Sequence, residues 1–154
     1  MQTDDIRTAD HADLKIGAAP VINLEWIQQI HRDRSSRGYS TEAVTDTILR
    51  RMHAYLHCIC PQFSNTDVNF KGVPAVDSSN PFIARWIATA DESLVVIWFK
   101  DPRGIDFAWL SQLIRGAWMS RSNLIGIPGG KLNLAMQLIV HPMIHGLLDR
   151  ARRA

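Results

Sequence analysis

The 154-residue sequence lacks the features that mark membrane, secreted and disulfide-bonded proteins. No apolar stretch approaches the roughly 18 residues that cross a bilayer. Residues 1–14 are polar and acidic, unlike a secretory signal. Cys58 and Cys60 stand two residues apart in a helical pattern, so they point to different faces and are not expected to pair. We therefore expect no membrane association and a cytoplasmic protein with reduced thiols.

A strong excess of one charge is also missing. The 17 Lys and Arg residues nearly balance the 15 Asp and Glu residues, and a net charge of +2 does not indicate a nucleic-acid partner. His53 and His57 stand four residues apart, as a helical pair of metal ligands does. No third ligand follows at a supporting spacing, so no metal site is expected.

The phosphate-binding pattern Gly-x-x-x-x-Gly-Lys-Ser/Thr is absent from the sequence. The nearest stretch is Gly129-Gly130-Lys131-Leu132. It has leucine where a metal-binding hydroxyl is needed, and it lacks the leading glycine at the required distance. We expect this stretch to begin the last helix rather than to hold a nucleotide.

What is present is the composition of one globular domain, with 46% hydrophobic residues. Residues 1–12 are expected to form a flexible tail and residues 13–154 the folded part. Helices mixed with strands predict an α/β or α+β domain. Strands are expected at 14–22, 67–73, 93–100 and 124–127, and helices at 24–34, 41–60, 107–118 and from 130 to about 150, with a kink at Pro142.

Finer features of these elements are also predicted. The first strand is expected to be buried, and the near-continuous apolar run of the 93–100 strand predicts burial on both faces. Residues 81–87 are expected to form a short strand or an ordered loop. Helix N-caps are expected at Asn23, Ser40 and Asp106. The 107–118 helix is expected to turn Leu113 inward, and the 41–60 helix to end at Pro61.

A basic cluster lies between the first two helical patterns and contains His31, Arg32, Arg34 and Arg37. Arginine presents a planar fork of donors that fits phosphate. Several guanidinium groups at one helix junction could therefore bind a phosphate ester. The alternative is a solvated basic turn whose arginines form ion pairs with Asp33. The local sequence alone leaves both interpretations open.

A resemblance to a known family adds to this pattern. The segments that carry it are His31–Val44, Pro61–Ser64, Asp77–Trp86, Asp91–Ser93, Arg103–Phe107 and Ile127–Lys131. In order and in spacing they resemble bacterial phosphoribulokinase, the ATP-dependent kinase of ribulose 5-phosphate in the Calvin cycle. The match runs from about Ala9 to the C-terminus and corresponds to the C-terminal half of the family.

The resemblance implies the C-terminal part of a mixed-sheet kinase domain, with helices packed around the sheet. It places the phosphate loop and the catalytic base in the other half, so no residue here, including Asp33, Asp77 and Asp91, is assigned as catalytic. It implies that ATP and magnesium are used by the family but that no cofactor is bound by this chain alone. We expect a truncated, inactive copy. The alternatives are one half of a split kinase, or a non-catalytic regulatory or oligomerisation module.

The resemblance also implies site residues. Arg32 and Arg37 match the arginines that bind the sugar phosphate, and His31 stands beside them. Gln29 occupies a position where family members commonly carry lysine, which removes one positive charge from the site. Binding of ribulose 5-phosphate is therefore expected to be weak or lost.

Bacterial members of the family are activated by NADH through arginines near subunit contacts. Arg50, Arg51 and Arg121 match such positions, whereas Trp98 stands where an arginine is expected. The resemblance further implies a homo-oligomer or association with a full-length kinase.

Overall fold

The computed structural model describes residues 11–84 and 86–153, so most of the predicted tail at residues 1–12 lies outside the described residues. The strands are β1 (Ile16–Pro20), β2 (Val68–Pro74), β3 (Ser93–Phe99), β4 (Trp118–Arg121) and β5 (Leu124–Pro128). The helices are α1 (Ile22–Arg37), α2 (Thr41–Ala54), α3 (Cys60–Phe63), α4 (Phe107–Leu113) and α5 (Leu132–Arg153). A π-helical turn, Tyr55–Ile59, joins α2 to α3, and a 3₁₀ turn, Gly129–Lys131, precedes α5.

The five strands form one mixed sheet in the order β1-β2-β3-β5-β4. The β1 and β2 strands are parallel, and the remaining neighbours are antiparallel. This arrangement confirms the predicted α/β fold. One face of the sheet packs against α4 and α5, and the core between them contains Val68, Phe70, Val95, Ile97, Phe99, Leu110, Ile114, Ile125, Ile127, Ala135 and Ile139.

Two predictions about burial are wrong. In β3 the residues on the core face, such as Ile97 and Phe99, are buried, but the alternating residues such as Val96 and Trp98 are only half-buried. Helices α4 and α5 cover the core face alone, so the run is not buried on both faces. In β1 only Gly17 is buried, because β1 is the edge strand of the described sheet.

The first helix is longer than predicted. It continues to Arg37 and ends at Gly38, whose positive φ of 67° turns the chain so that the N–H of Tyr39 can bond the carbonyl of Asp33 at 3.3 Å. The predicted cap at Asn23 is also wrong. Val21 occupies the cap position, and the amide of Asn23 donates instead to the carbonyl of Ser78 at 3.1 Å. A long-range contact therefore takes the side chain that the local pattern assigned to capping.

The second helix does not end at Pro61. Regular α-helix stops at Ala54, and the π turn leads without a break into α3, in which Pro61 is the second residue. Of the predicted caps, Ser40 accepts from the N–H of Ala43, and Asp106 accepts from the N–H of Trp109 at 2.8 Å. Both capping predictions are confirmed.

The predicted helix 107–118 ends at Leu113, which is 46% exposed rather than inward. Gly116 has a positive φ of 87° and turns the chain into β4, which begins at Trp118. All four residues of β4 are exposed, so the sequence carried no alternating pattern that could predict this strand. Residues 81–87, predicted as a short strand or ordered loop, contain turns and no strand in their described part.

Tyr55 gives the packing of α1 against the π turn a measurable pH dependence. Its hydroxyl donates to Glu25 at 3.2 Å, and burial, reinforced by the charge of Glu25, raises the pKa of Tyr55 to about 12. The folded pKa lies above the ordinary value near 10. The stabilisation is therefore complete below about pH 10 and is lost as the pH rises towards 12.

We expect the free energy of unfolding to fall more steeply between pH 10 and 12 in the wild type than in Tyr55→Phe, as measured by urea denaturation. Tyr39, which is 56% exposed, provides the matched control, and Tyr39→Phe should leave the wild-type slope in place. Equal slopes for the wild type and Tyr55→Phe would contradict this assignment.

Candidate functional site

The last two turns of α1 gather two arginines around one buried carboxylate. Asp33 is only 5% exposed. Its Oδ1 accepts from Nε of Arg32 and from Nη1 of Arg37, each at 3.2 Å. The two arginine side chains remain 61% and 59% exposed. The structure therefore brings Arg32 and Arg37 together, with the ion pairs to Asp33 that the second interpretation of the sequence anticipated.

The way α1 ends explains this geometry. Gly38 stops the helix, and the N–H of Tyr39 bonds the carbonyl of Asp33 at 3.3 Å, which fixes the last turn. Cations are favoured there because the C-terminal end of a helix carries partial negative charge. Two guanidinium groups and one carboxylate leave a formal charge of +1. Each arginine keeps further N–H donors that face solvent and can meet an oxyanion.

His31 lies on a different side of α1 from the arginine pair. Its Nε2 is 3.1 Å from the carbonyl of Ala84, so this nitrogen carries the proton and donates. Asn23 holds the same loop through Ser78, and the rings of Trp26 and Phe82 pack 5.6 Å apart. Sequence reasoning placed His31 beside the arginines but did not show that it fastens the 75–92 loop to α1.

A cavity of about 280 Å³ lies between α1 and this loop. Its walls include Leu24 and Ile27 from the helix, and Ser78 and Asn80 from the loop. Arg32 follows Leu24 and Ile27 along the same helix by about 8–12 Å at 1.5 Å per residue. The residues of the Asp77–Trp86 segment thus line a space on the helix that carries the arginine pair.

Gln29 is half-buried and precedes Arg32 by three residues and Asp33 by four. Residues at these spacings are neighbours on a helix surface. Gln29, which stands where members of the resembled family carry lysine, therefore lies about one helical turn from Arg32. A neutral amide there leaves the pair without a third positive charge.

The three arginines matched to effector binding lie on two separate elements. Arg50 and Arg51 are exposed on α2, where Arg50 forms an ion pair with Asp46. Arg121 ends β4. Leu124 pairs with Trp98 on one side and with Arg121 on the other. Trp98, which stands where an effector arginine is expected, therefore lies on the same face of the sheet as Arg121.

Other candidates take structural roles. Gly129 and Gly130 lie in the 3₁₀ turn before α5, as expected for a helix start. The rings of His53 and His57 stack 4.1 Å apart, and Nδ1 of His57 bonds the carbonyl of His53. Within residues 11–84 and 86–153, no group of three or more His, Cys, Asp or Glu is placed to hold a metal ion. Over the same residues, no helix combines the length and apolar character needed to cross a membrane.

Comparison with known proteins agrees with the fold. Residues 2–79 match the family described as "Phosphoribulokinase / Uridine kinase family". Phosphoribulokinase 2 of Cereibacter sphaeroides is 66% identical over 151 residues, which are 98% of this chain and 52% of that protein. Phosphoribulokinase of Xanthobacter flavus is 63% identical over 152 residues, which are 99% of this chain and 52% of that protein. This chain therefore belongs to the phosphoribulokinase / uridine kinase family.

A solved structure, phosphoribulokinase from Rhodobacter spheroides, superposes with a TM-score of 0.90 at 65% sequence identity. The superposition covers 98% of this chain and 54% of that one. The chain thus spans about half the length of the relatives it matches, and the fold of that half is retained.

Proposed function

We propose that this chain carries the acceptor side of a phosphoribulokinase site, in which Arg32 and Arg37 bind the phosphate of ribulose 5-phosphate. The observation that supports the proposal is the pair of exposed guanidinium groups held by one buried carboxylate. The carboxylate of Asp33 fixes the two guanidinium groups before a ligand binds. Less conformational entropy is therefore lost when the ligand binds. The carboxylate also offsets one of the two positive charges, so we expect the site to bind an anion with modest affinity.

Within this proposal His31 is a positioning residue. It holds the 75–92 loop against α1 and so keeps the walls of the 280 Å³ cavity in place. The sugar would occupy that side of α1, and its phosphate would extend towards the arginine pair.

Transfer of a phosphoryl group also needs a cradle for the donor phosphates, a metal-binding carboxylate and a base. The 154 residues contain no phosphate-loop pattern. We infer that ATP and magnesium are bound by donor elements outside these 154 residues and that the chain alone is inactive. The family reaction, formation of ribulose 1,5-bisphosphate in the cytoplasm, would require both parts. NADH would act as an effector only of that complete enzyme, and with reduced effect, because Trp98 replaces one effector arginine.

Calorimetric titration at low salt tests this proposal. We expect weak, saturable binding of ribulose 5-phosphate, with a Kd of about 1 mM if two charge-assisted contacts supply about 3–6 kcal/mol. Unphosphorylated ribulose should give no saturable heat, and added ATP and magnesium should give no bisphosphate product. Equal binding of the two sugars, or turnover by the purified chain alone, would contradict the proposal.

A further inference from the structure

The end of α1 and the turn that follows it can open without exposing the core. Asp33 is the last buried residue of α1, and Val44 is the next buried residue along the chain. Residues 34–40, the helix-end segment, are all exposed. Backbone hydrogen bonds from the N–H groups of Gly38 and Tyr39 close the helix end. Because helix ends fray and this segment buries no apolar side chain, its local opening costs little free energy.

The helix-end segment contains three serines, and two of their hydroxyl groups already have partners. Oγ of Ser35 donates to the carbonyl of Arg32 at 3.2 Å. Oγ of Ser40 accepts from the N–H of Ala43 at 3.2 Å and caps α2. The hydroxyl of Ser36 forms no hydrogen bond with the described part of the chain and is exposed. Ser36 is therefore the serine whose oxygen can react without the loss of an existing contact.

Three exposed arginines stand close to Ser36 in the sequence. Arg32 and Arg34 precede it by four and two residues, and Arg37 follows it directly. Opposite charges on two partners steer and orient their association. A serine among arginines on a segment that opens at low cost therefore fits the acidic substrate groove of an arginine-directed protein serine kinase.

Ser36 also lies on the side of α1 that carries the arginine pair. An α-helix turns by about 100° per residue, which places Ser36 about 40° from Arg32, on the side towards Arg37. Ser35 lies about 60° from Arg32 in the other direction. Residues four apart are neighbours on a helix surface, so a phosphate on Ser36 would be within reach of the Arg32 guanidinium group.

The charge of a phosphate would change the site more than its size. Arg32 and Arg37 together with Asp33 carry a formal charge of +1. A phosphoserine carries about −2 at pH 7, so the formal charge would become about −1. The carboxylate of Asp33 and the C-terminal end of the helix both repel the phosphate, whereas the guanidinium groups attract it. The phosphate would therefore take the N–H donors that face solvent.

We propose that Ser36 is a phosphorylation site and that its phosphate pairs with Arg32 and Arg37 and so prevents the binding of a sugar phosphate. This inference rests on the proposed function, because it concerns the regulation of that same site. In the modification step, a bond forms between Oγ of Ser36 and the γ-phosphorus of ATP, and the bond from that phosphorus to the bridging oxygen breaks. ADP leaves with the electron pair, and the hydroxyl proton passes to a carboxylate base of the modifying kinase.

The modification is tested on the purified chain with magnesium, ATP and a panel of arginine-directed protein serine kinases, and tandem mass spectrometry locates the phosphate. We expect at least one kinase to place phosphate on Ser36, and Ser36→Ala to lower the total incorporation by that kinase. A panel that modifies only Ser35, only Ser40, or no serine of the helix-end segment would overturn the proposal.

The effect on binding is measured with a chain produced with phosphorylated Ser36. Calorimetric titration should show a Kd for ribulose 5-phosphate at least about tenfold higher than that of the unmodified chain, because the arginine donors are occupied. The matched control carries the same phosphate on Ser120, which is exposed on β4, and should bind as the unmodified chain does. Equal weakening by the two phosphates would overturn the proposal, because overall charge would then be responsible.

Phosphorus NMR tests the ion pair directly. The second pKa of phosphoserine is ordinarily about 6, and guanidinium partners favour the dianion. The pKa of phosphorylated Ser36 should therefore lie below that of phosphorylated Ser120, and Arg32→Ala should return it towards the ordinary value. Equal pKa values at the two positions would overturn the assigned ion pair.

Failure of this regulation and failure of the proposed function are separate results, because the phosphorus NMR experiment contains no sugar phosphate. A lowered pKa at phosphorylated Ser36, in a chain whose unmodified form gives no saturable binding of ribulose 5-phosphate, would refute the acceptor-site proposal and support the ion pair. Saturable binding that phosphorylation of Ser36 leaves unchanged would refute only the regulation.

Discussion

Replacing Arg32 and Arg37 together by alanine is expected to weaken ribulose 5-phosphate binding by about 10²–10⁴-fold, since each charge-assisted hydrogen bond contributes about 1.5–3 kcal/mol. Starting from a weak complex, a loss of this size removes saturation altogether. The arginines are expected to act as a unit, because both guanidinium groups donate to the same oxygen of Asp33. Either single variant should therefore lose more than half of the binding free energy that the pair supplies.

The matched control is Arg50→Ala/Arg51→Ala, which removes the same charge from an exposed helix surface. Calorimetry should show unchanged binding for this control. The unfolding free energy of this control should stay near the wild-type value, because its ion pair with Asp46 is exposed. Removing Arg32 and Arg37 leaves the buried carboxylate of Asp33 without these partners and should lower the unfolding free energy, so binding by that variant is measured where it is shown to be folded. If the two double variants lost affinity equally, the sugar phosphate would be responding to overall charge, and the assigned site would be wrong.

The second large effect concerns the glycine pair that precedes α5. A Cβ on Gly129 would stand 2.6 Å from the carbonyl oxygen of Ala90 and 2.9 Å from that of Ser93. Both are backbone atoms next to β3 and cannot move aside as a flexible side chain can. We expect Gly129→Ala to destabilise the fold by about 1–3 kcal/mol or more through overpacking.

The neighbouring glycine provides the control. A Cβ on Gly130 would meet only the carboxylate of Asp91, at an ordinary distance of 3.8 Å. Thermal and urea unfolding of Gly130→Ala should therefore resemble the wild type, with the midpoint of Gly129→Ala clearly lower. Equal destabilisation by the two substitutions would mean that the close carbonyl oxygens around Gly129 do not set the cost.

The local sequence predicted those helices and strands whose patterns lie within the element itself. The apolar run of β3, the helical spacing from Val44 to Ile48, and the caps at Ser40 and Asp106 all depend on neighbours a few residues away. Their predictions were confirmed for that reason. The exception within this group is the outer face of β3, where the covering layer, and not the strand itself, decides burial.

The features that were missed depend on distant contacts. Asn23 is a residue type that commonly caps helices, but its side-chain amide donates to the carbonyl of Ser78, 55 residues away. His31 was predicted to lie with the arginines, but its ring forms a hydrogen bond with the carbonyl of Ala84, 53 residues away. The exposure of β1 follows from its place at the edge of the sheet, which no property of its five residues encodes.

The candidate site was predicted in two parts. The local sequence indicated a basic turn and an ion pair with Asp33, and the family resemblance selected Arg32 and Arg37 from four basic residues. Neither could show that the two side chains converge. Convergence requires α1 to continue to Arg37, and the left-handed Gly38 that permits this ending is visible in the sequence only as a glycine.

The most direct test of the acceptor site is an NMR titration that follows the Nε–H resonances of the arginine side chains as ribulose 5-phosphate is added. We expect saturable shifts at Arg32 and Arg37, with Arg50 and Arg51 unchanged. Shifts confined to the α2 arginines, or equal shifts at every exposed arginine, would contradict the claim that the end of α1 is the phosphate-binding site.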